Sequence, residues 1–273
     1  MFRYAYDIFI KFLGILFRMY YLLKFGYDGR CFTGYQRGNG HRSVEDSILE
    51  AMGKYGISDS FSSAARTDRG VSAAGNVIVF KSGMEIGKIT GILNSQVRGM
   101  IFHSYAEVDR SFRVRFSSMK HYRYFLNSRG IDAARFRRTM GMFSGTHDFS
   151  LFSRKDSRSP VRTVESVSVI ERDGFLEVNI FGPNFVWNQI RYMVGFARFY
   201  SAGSEEVPYP FDLQHRKWPL AASDPLILMN IDYKDLDFKR SINKKKVGLW
   251  GRQLMDLRLH AAVLDSIINI AYE

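Results

Sequence analysis

Apolar residues in this chain come in short runs bounded by turn residues and interleaved with helical stretches, and this alternation restricts the fold more than any other feature. Tyr20 to Phe25, Val77 to Phe80, Ile101 to Val108, Lys120 to Leu126 and Pro225 to Tyr233 read as strands. Residues 163–171 and 175–180 read as a hairpin around Arg172-Asp173-Gly174. A helix is expected from Ser43, a capping serine with Asp46 three residues on, and it carries Val44, Ile48, Met52 and Tyr55 at helical spacing. Further helices are expected over 86–93, 131–142, Phe185 to Tyr200, and Leu249 to the end. The pattern is that of an α+β fold. The 273 residues suffice for one large domain or two smaller ones.

The ends stand apart from this pattern. The apolar stretch Ile8 to Phe17 is broken by Lys11 and closed by Arg18, so it is too short to span a bilayer. Asp7 ahead of it, with no small-residue cleavage site behind, argues against a secretory signal. A helix lying on a membrane surface is the competing reading. Residues 1–18 are read as an appendage, with Met19 as the functional beginning. At the other end, residues 234–273 combine a basic run, Lys244-Lys245-Lys246, with the last helix. Such a run is a solvated linker or a contact to a polyanion. A single cysteine, Cys31, allows neither an internal disulfide nor a cysteine-based zinc site, so a cytoplasmic location is expected.

Charge narrows the class of partner. Lys and Arg total 39 against 27 acids, a net charge of +12, which suits nucleic acid or an anionic membrane surface. Between residues 110 and 123, Arg110, Arg113, Arg115, Lys120 and Arg123 alternate with Phe112, Phe116 and Tyr122, as on a strand that grips phosphates and stacks bases, or on a solvated β face. The glycine-rich loop after Phe32 carries Arg37, a further candidate for phosphate. The polar loop 153–162, with Arg154, Lys155, Arg158 and Arg162, is another. His147 beside Asp148 invites a metal, but no third ligand stands at suitable spacing, so no metal site is expected.

In Arg66-Thr67-Asp68-Arg69-Gly70-Val71 one carboxylate lies between two guanidinium groups on a turn before a strand. That positive surrounding favours its charged form. An ionised carboxylate on a loop serves as nucleophile, base or ion-pair partner. Within the 185–200 helix, Arg191 interrupts an apolar stripe that includes Trp187 and Val194. A charge there needs a partner, or snorkels to the surface, and Asp68 is the candidate partner.

These segments resemble, in order and spacing over roughly residues 20–233, the tRNA pseudouridine synthases of the TruA type. Tyr27-Asp28-Gly29 with Phe32 and Gly34-Tyr35-Gln36 is similar to the family's opening motif, with Tyr35 in place of a tryptophan. Arg66 to Val71 resembles its Arg-Thr-Asp-x-Gly-Val. Phe112 to Phe116 resembles Phe-His-Ala-Arg-Phe, matching at Arg115 and lacking the histidine at Arg113. Lys120-x-Tyr122-x-Tyr124, Phe143 to Phe152, and Phe185 to Gly195 match three more motifs. The resemblance implies two related α/β halves, 19–117 and 118–233, sharing a mostly antiparallel sheet with a basic cleft between them. It implies Asp68 as nucleophile, Tyr122 against the uracil and Arg191 paired with Asp68. Arg66 would help to draw the nucleotide out, and Arg69, Arg37, Arg115, Lys120 and Arg123 are candidates for contact with the RNA. It also implies uridine isomerisation at nucleotides 38 to 40 of tRNA, no cofactor, no membrane and a homodimer. Two other classes compete: a non-catalytic RNA-binding protein on the same scaffold, and a carboxylate-pair glycosidase, which requires a second acid near Asp68.

Overall fold

The computed structural model of the chain describes residues 19–38, 42–154 and 159–272. The appendage read over residues 1–18 lies outside them, as do Lys155 and Arg158 of the polar loop.

In chain order the elements are β1 (Met19–Tyr27), α1 (Val44–Lys54), β2 (Ser62–Ser63), β3 (Ser72–Ser82), α2 (Ile86–Gln96), β4 (Met100–Val108), β5 (Met119–Asn127), α3 (Ala133–Gly141), β6 (Gly145–Asp148), β7 (Val161–Val164), β8 (Ser166–Arg172), β9 (Phe175–Gly182), α4 (Gln189–Ser201), β10 (Leu226–Asp232), β11 (Lys239–Arg240) and α5 (Lys244–Tyr272). Among the described residues, nine strands form one sheet in the order β11-β4-β1-β3-β10-β5-β9-β8, with β2 added to β3. Neighbours are antiparallel except at the β3–β10 seam, where Ile227 pairs with Ser72 and Leu228 with Ala73. The seam is tight: a Cβ on Gly75 would lie 2.8 Å from the Met229 carbonyl.

Two cores lie along this sheet. Leu22, Leu23, Phe25 and Phe102 of the strands pack with Ile48 and Met52 of α1 and Ile89 and Leu93 of α2. Ser43 caps α1 as expected, accepting a hydrogen bond from the Asp46 amide. The second core gathers Phe136 of α3, Val178 of β9, Met193 and Phe196 of α4, and the rings of Phe143, Phe149 and Phe152. Phe143 stands edge-on to Phe152 and to Phe196, with centroids 4.8 and 5.6 Å apart. Burying each such ring contributes about 1.5–3 kcal/mol. That anchoring holds the 3-10 turn Ser150–Phe152 although no side chain caps it. β10 serves both cores, with Leu228 and Ile231 in the first and Leu226 in the second.

Three segments depart from the sequence reading. Residues 110–118 are turns, and the strand begins only at Met119. Alternation fails there because Val114 is pulled into the first core while Phe116 is left 76% exposed. The 185–200 helix starts four residues late, at Gln189, because Asn188 takes a left-handed backbone (φ 66°) that a helix cannot contain. The last helix starts early, at Lys244, and the Lys246 ammonium donates to the Asn94 and Val97 carbonyls at the end of α2 (2.8 and 2.7 Å). One lysine of the basic run is therefore structural.

Candidate active site

The loop before β3 is fixed from below. The Tyr27 hydroxyl meets Thr67 Oγ1 at 2.8 Å, the Tyr35 amide donates to the Thr67 carbonyl, the Tyr35 hydroxyl donates to Ser63 Oγ at 2.6 Å, and Asn76 Nδ2 donates to the Ala65 carbonyl. Tyr35 is wholly buried in this role and offers no face to a ligand. The loop turns at Gly70, whose φ of 89° and close approach to Ser223 and Asp224 leave no room for a side chain. Asp68 is thereby held at the end of a braced segment.

Two side chains from the α4 approach converge on it. Arg191 Nη1 lies 3.0 Å from Asp68 Oδ2, and Arg191 Nε donates to the Ala221 carbonyl at 2.8 Å. Trp187 Nε1 donates to Asp68 Oδ1 at 2.9 Å. Each carboxylate oxygen thus receives one donor, which fixes the plane of the carboxylate. The left-handed Asn188 separates the two donors: Trp187 lies in the loop before the helix, and Arg191 in its first turn. Behind the indole, the Arg154 guanidinium sits 4.3 Å from the ring centroid, and the Arg154 amide donates to the Trp187 carbonyl.

Asp68 lies in a cleft of about 890 Å³ between the two halves. It is the one carboxylate among the described lining residues, against Arg66, Arg69, Arg115, Lys120 and Arg191. Tyr122 lines the cleft beside them, its ring edge-on to Phe185 at 5.4 Å. Burial, then the nearby Tyr27 and Asp68, raise its phenol well above the ordinary range, so it is a neutral hydrogen-bonding group at physiological pH. The described lining residues supply no second acid for a carboxylate-pair glycosidase.

Of the residues singled out in the sequence, Asp68, Tyr122, Arg191, Arg66, Arg69, Arg115 and Lys120 meet at this cleft. Two are placed elsewhere. Arg37 turns to the first turn of α1, its amide bonded to Glu45 and its Nε 4.0 Å from Asp46. Arg123 points to the opposite face of β5 from Tyr122, where it pairs with Glu177 at 3.1 Å and donates to Asn179. Arg66 and Arg69, expected to hold Asp68 between them, are exposed side chains, and the cation that reaches the carboxylate is Arg191. His147 stacks on Phe211 at 4.0 Å and meets the Ser144 carbonyl. Sequence reasoning missed Trp187, which it took for part of a helical stripe; its signal was the asparagine that follows.

Lys120 is buried, with its ammonium donating to Ser117 Oγ (2.8 Å) and the Pro183 carbonyl (3.0 Å). Burial lowers its pKa to about 8. Below that pH the folded chain carries a desolvated charge, and this cost vanishes as pH rises from about 8 to the unfolded 10.5. Wild-type stability is therefore expected to gain on that of Lys120→Met across this window, read as urea midpoints at a series of pH values. Parallel curves for the two proteins would contradict the assignment.

A family model described as tRNA pseudouridine synthase matches residues 140–234. The chain is 42% identical to tRNA pseudouridine synthase A of Picrophilus torridus, over 81% of this chain and 84% of that protein. It is 38% identical to the protein of that name from Thermoplasma acidophilum (86% and 93% covered), and 34% identical to that of Pyrococcus furiosus (90% and 97% covered).

Proposed function

The chain belongs to the tRNA pseudouridine synthase A family, and we propose that it isomerises uridine to pseudouridine in the tRNA anticodon stem-loop, at nucleotides 38 to 40, with Asp68 as nucleophile. The observation that carries this reading is a lone carboxylate, braced by Arg191 and Trp187, facing a positively lined cleft.

The reaction breaks the N1–C1′ bond, forms C5–C1′, removes a proton from C5 and places one on N1. Its balance needs no oxidant, reductant or cofactor. Asp68 attacks either ribose C1′ or C6 of the base; both routes require an ionised, fixed carboxylate. Arg191 balances its charge and Trp187 holds its second oxygen. The detached uracil is anionic and has to turn before it rejoins. The cations of the lining retain it electrostatically, and Tyr122 bounds the space in which it turns. Flipping the nucleotide from the stem costs a few kcal/mol, which pocket and phosphate contacts offset. Arg66, exposed beside Gln36, would occupy the gap, and Arg69 and Arg115, which line the cleft, would meet phosphates. A homodimer carrying one tRNA across both subunits, and a cytoplasmic location, belong to the same reading. No helix among the described residues is long and apolar enough to cross a membrane.

Carbodiimide mapping of a tRNA transcript after incubation with the protein tests the reading. Pseudouridine is expected at nucleotides 38 to 40. A transcript without any would refute the activity, and one modified elsewhere would refute the site. Within this mechanism Trp187→Phe keeps the ring and loses the donor. A hydrogen bond to a charged group is worth about 1.5–3 kcal/mol, so single-turnover rates are expected to fall roughly 10- to 100-fold. Filter-bound affinity for tRNA should stay level, and Trp187→His, which keeps an N–H, should recover part of the rate.

A further inference from the structure

We propose that Arg216 is a positioning residue, which locks the support that aims the Trp187 indole at Asp68. Trp187 is 42% exposed and lies ahead of α4, so neither burial nor a helix fixes its ring. Arg154 supports it, through an amide bond to the Trp187 carbonyl (2.9 Å) and a guanidinium over the indole face. Arg154 in turn follows the uncapped 3-10 turn Ser150–Phe152. Carbonyls left over at the end of a helical turn are met by side chains or by water. Here the Leu151 and Ser153 carbonyls accept from Arg216 Nε and Nη2, at 2.7 and 2.8 Å. The forked guanidinium serves both at once, which an ammonium cannot do, and it also lies 3.6 Å from the ring centroid of Tyr192, the residue after Arg191. One exposed side chain thus fastens the support of Trp187 to the first turn of α4.

The residues after Arg216 extend the same task. Residues 216–221 form neither helix nor strand. Trp218 is buried and stacks on Phe152, with centroids 4.9 Å apart, between the two carbonyls that Arg216 takes. The Ala221 carbonyl accepts from Arg191 Nε, and the Ala221 amide donates to the Arg191 carbonyl at 3.2 Å. Both donors to the Asp68 carboxylate, one on each oxygen, are therefore braced by six consecutive residues, none of them among the described residues that line the cleft. A misplacement of about 1 Å at a reacting group can cost about 100-fold in rate, so a strap outside the cleft has leverage on the chemistry inside it.

The indole N–H resonances of the isotope-labelled full chain test this role. Trp187→Phe identifies the Trp187 signal by deleting it. Arg216→Met is expected to move that signal and to speed its hydrogen exchange roughly 10-fold. Arg216→Lys, which keeps a cation over Tyr192 but not the fork, should fall between. In tritium release, Arg216→Met should lower kcat roughly 3- to 10-fold with KM unchanged. In a Trp187→Phe background the same change should cost less than about 2-fold, because two residues that act through one hydrogen bond do not add. An unmoved indole signal, an equal loss in both backgrounds, or a loss confined to KM would overturn the proposal. The change in rate rests on the role proposed for Asp68, whereas the indole signal does not. A wild type that makes no pseudouridine would therefore refute that role and leave the resonance to decide this one.

Discussion

Asp68→Asn is expected to abolish tritium release from tRNA labelled at uridine C5, by about 10⁴-fold or more, because loss of a nucleophile leaves only binding and electrostatics to assist the reaction. The replacement is isosteric, and its amide oxygen still accepts the indole N–H that now meets Oδ1. Binding of tRNA should therefore persist, and the melting temperature should fall by a few degrees, because the Arg191 guanidinium, 15% exposed, loses its counter-charge. Measured together, rate, affinity and melting separate the classes of function. Release by both proteins removes Asp68 from the mechanism. Release by neither, with tRNA still bound, identifies a non-catalytic RNA-binding protein on this scaffold.

Arg191→Met should be the next most damaging change. Removing one partner of a buried ion pair costs about 3–5 kcal/mol, equivalent to roughly 10²- to 10⁴-fold in rate where that cost falls on the transition state. Since 28% of the Asp68 side chain is still in water, the lower part of that range applies. The fall should appear in kcat rather than KM, because Arg191 acts on the nucleophile. Arg191→Lys should lie between: it restores a charge but does not serve Asp68 and the Ala221 carbonyl together, as the guanidinium does. A loss confined to KM would place Arg191 in substrate binding instead.

Local structure was legible where one physical cause dominates. Ser43 with Asp46 marked the start of α1, and alternation sorted Tyr122, Tyr124 and Leu126 onto one side of β5. The Asp68–Arg191 pair bridges 123 positions of sequence; a charge interrupting an apolar stripe suggested it, and resemblance to a family decided between that pair and a snorkelling arginine. The failures trace to backbone and reach. Periodicity ran the last cleft helix back through Trp187 because nothing in hydropathy announces a left-handed residue at Asn188. Arg66 and Arg69 adjoin Asp68 in sequence, but adjacency on an extended loop does not aim side chains at one another. Arg123 stood out as one more cation in a basic patch, and its partner Glu177 belongs to the neighbouring strand, which no local window contains.

The parallel seam has a consequence for the order of synthesis. Asp68 precedes β3, Arg191 precedes β10, and among the described strands only the pairing of β3 with β10 ties one half of the sheet to the other. A ribosome finishes the Asp68 loop more than 150 residues before it adds Leu226. Any nascent chain short of that strand holds its carboxylate without the joint that brings the guanidinium to it. If Asp68 and Arg191 act as proposed, chains that end before Leu226 are expected to release no tritium from labelled tRNA.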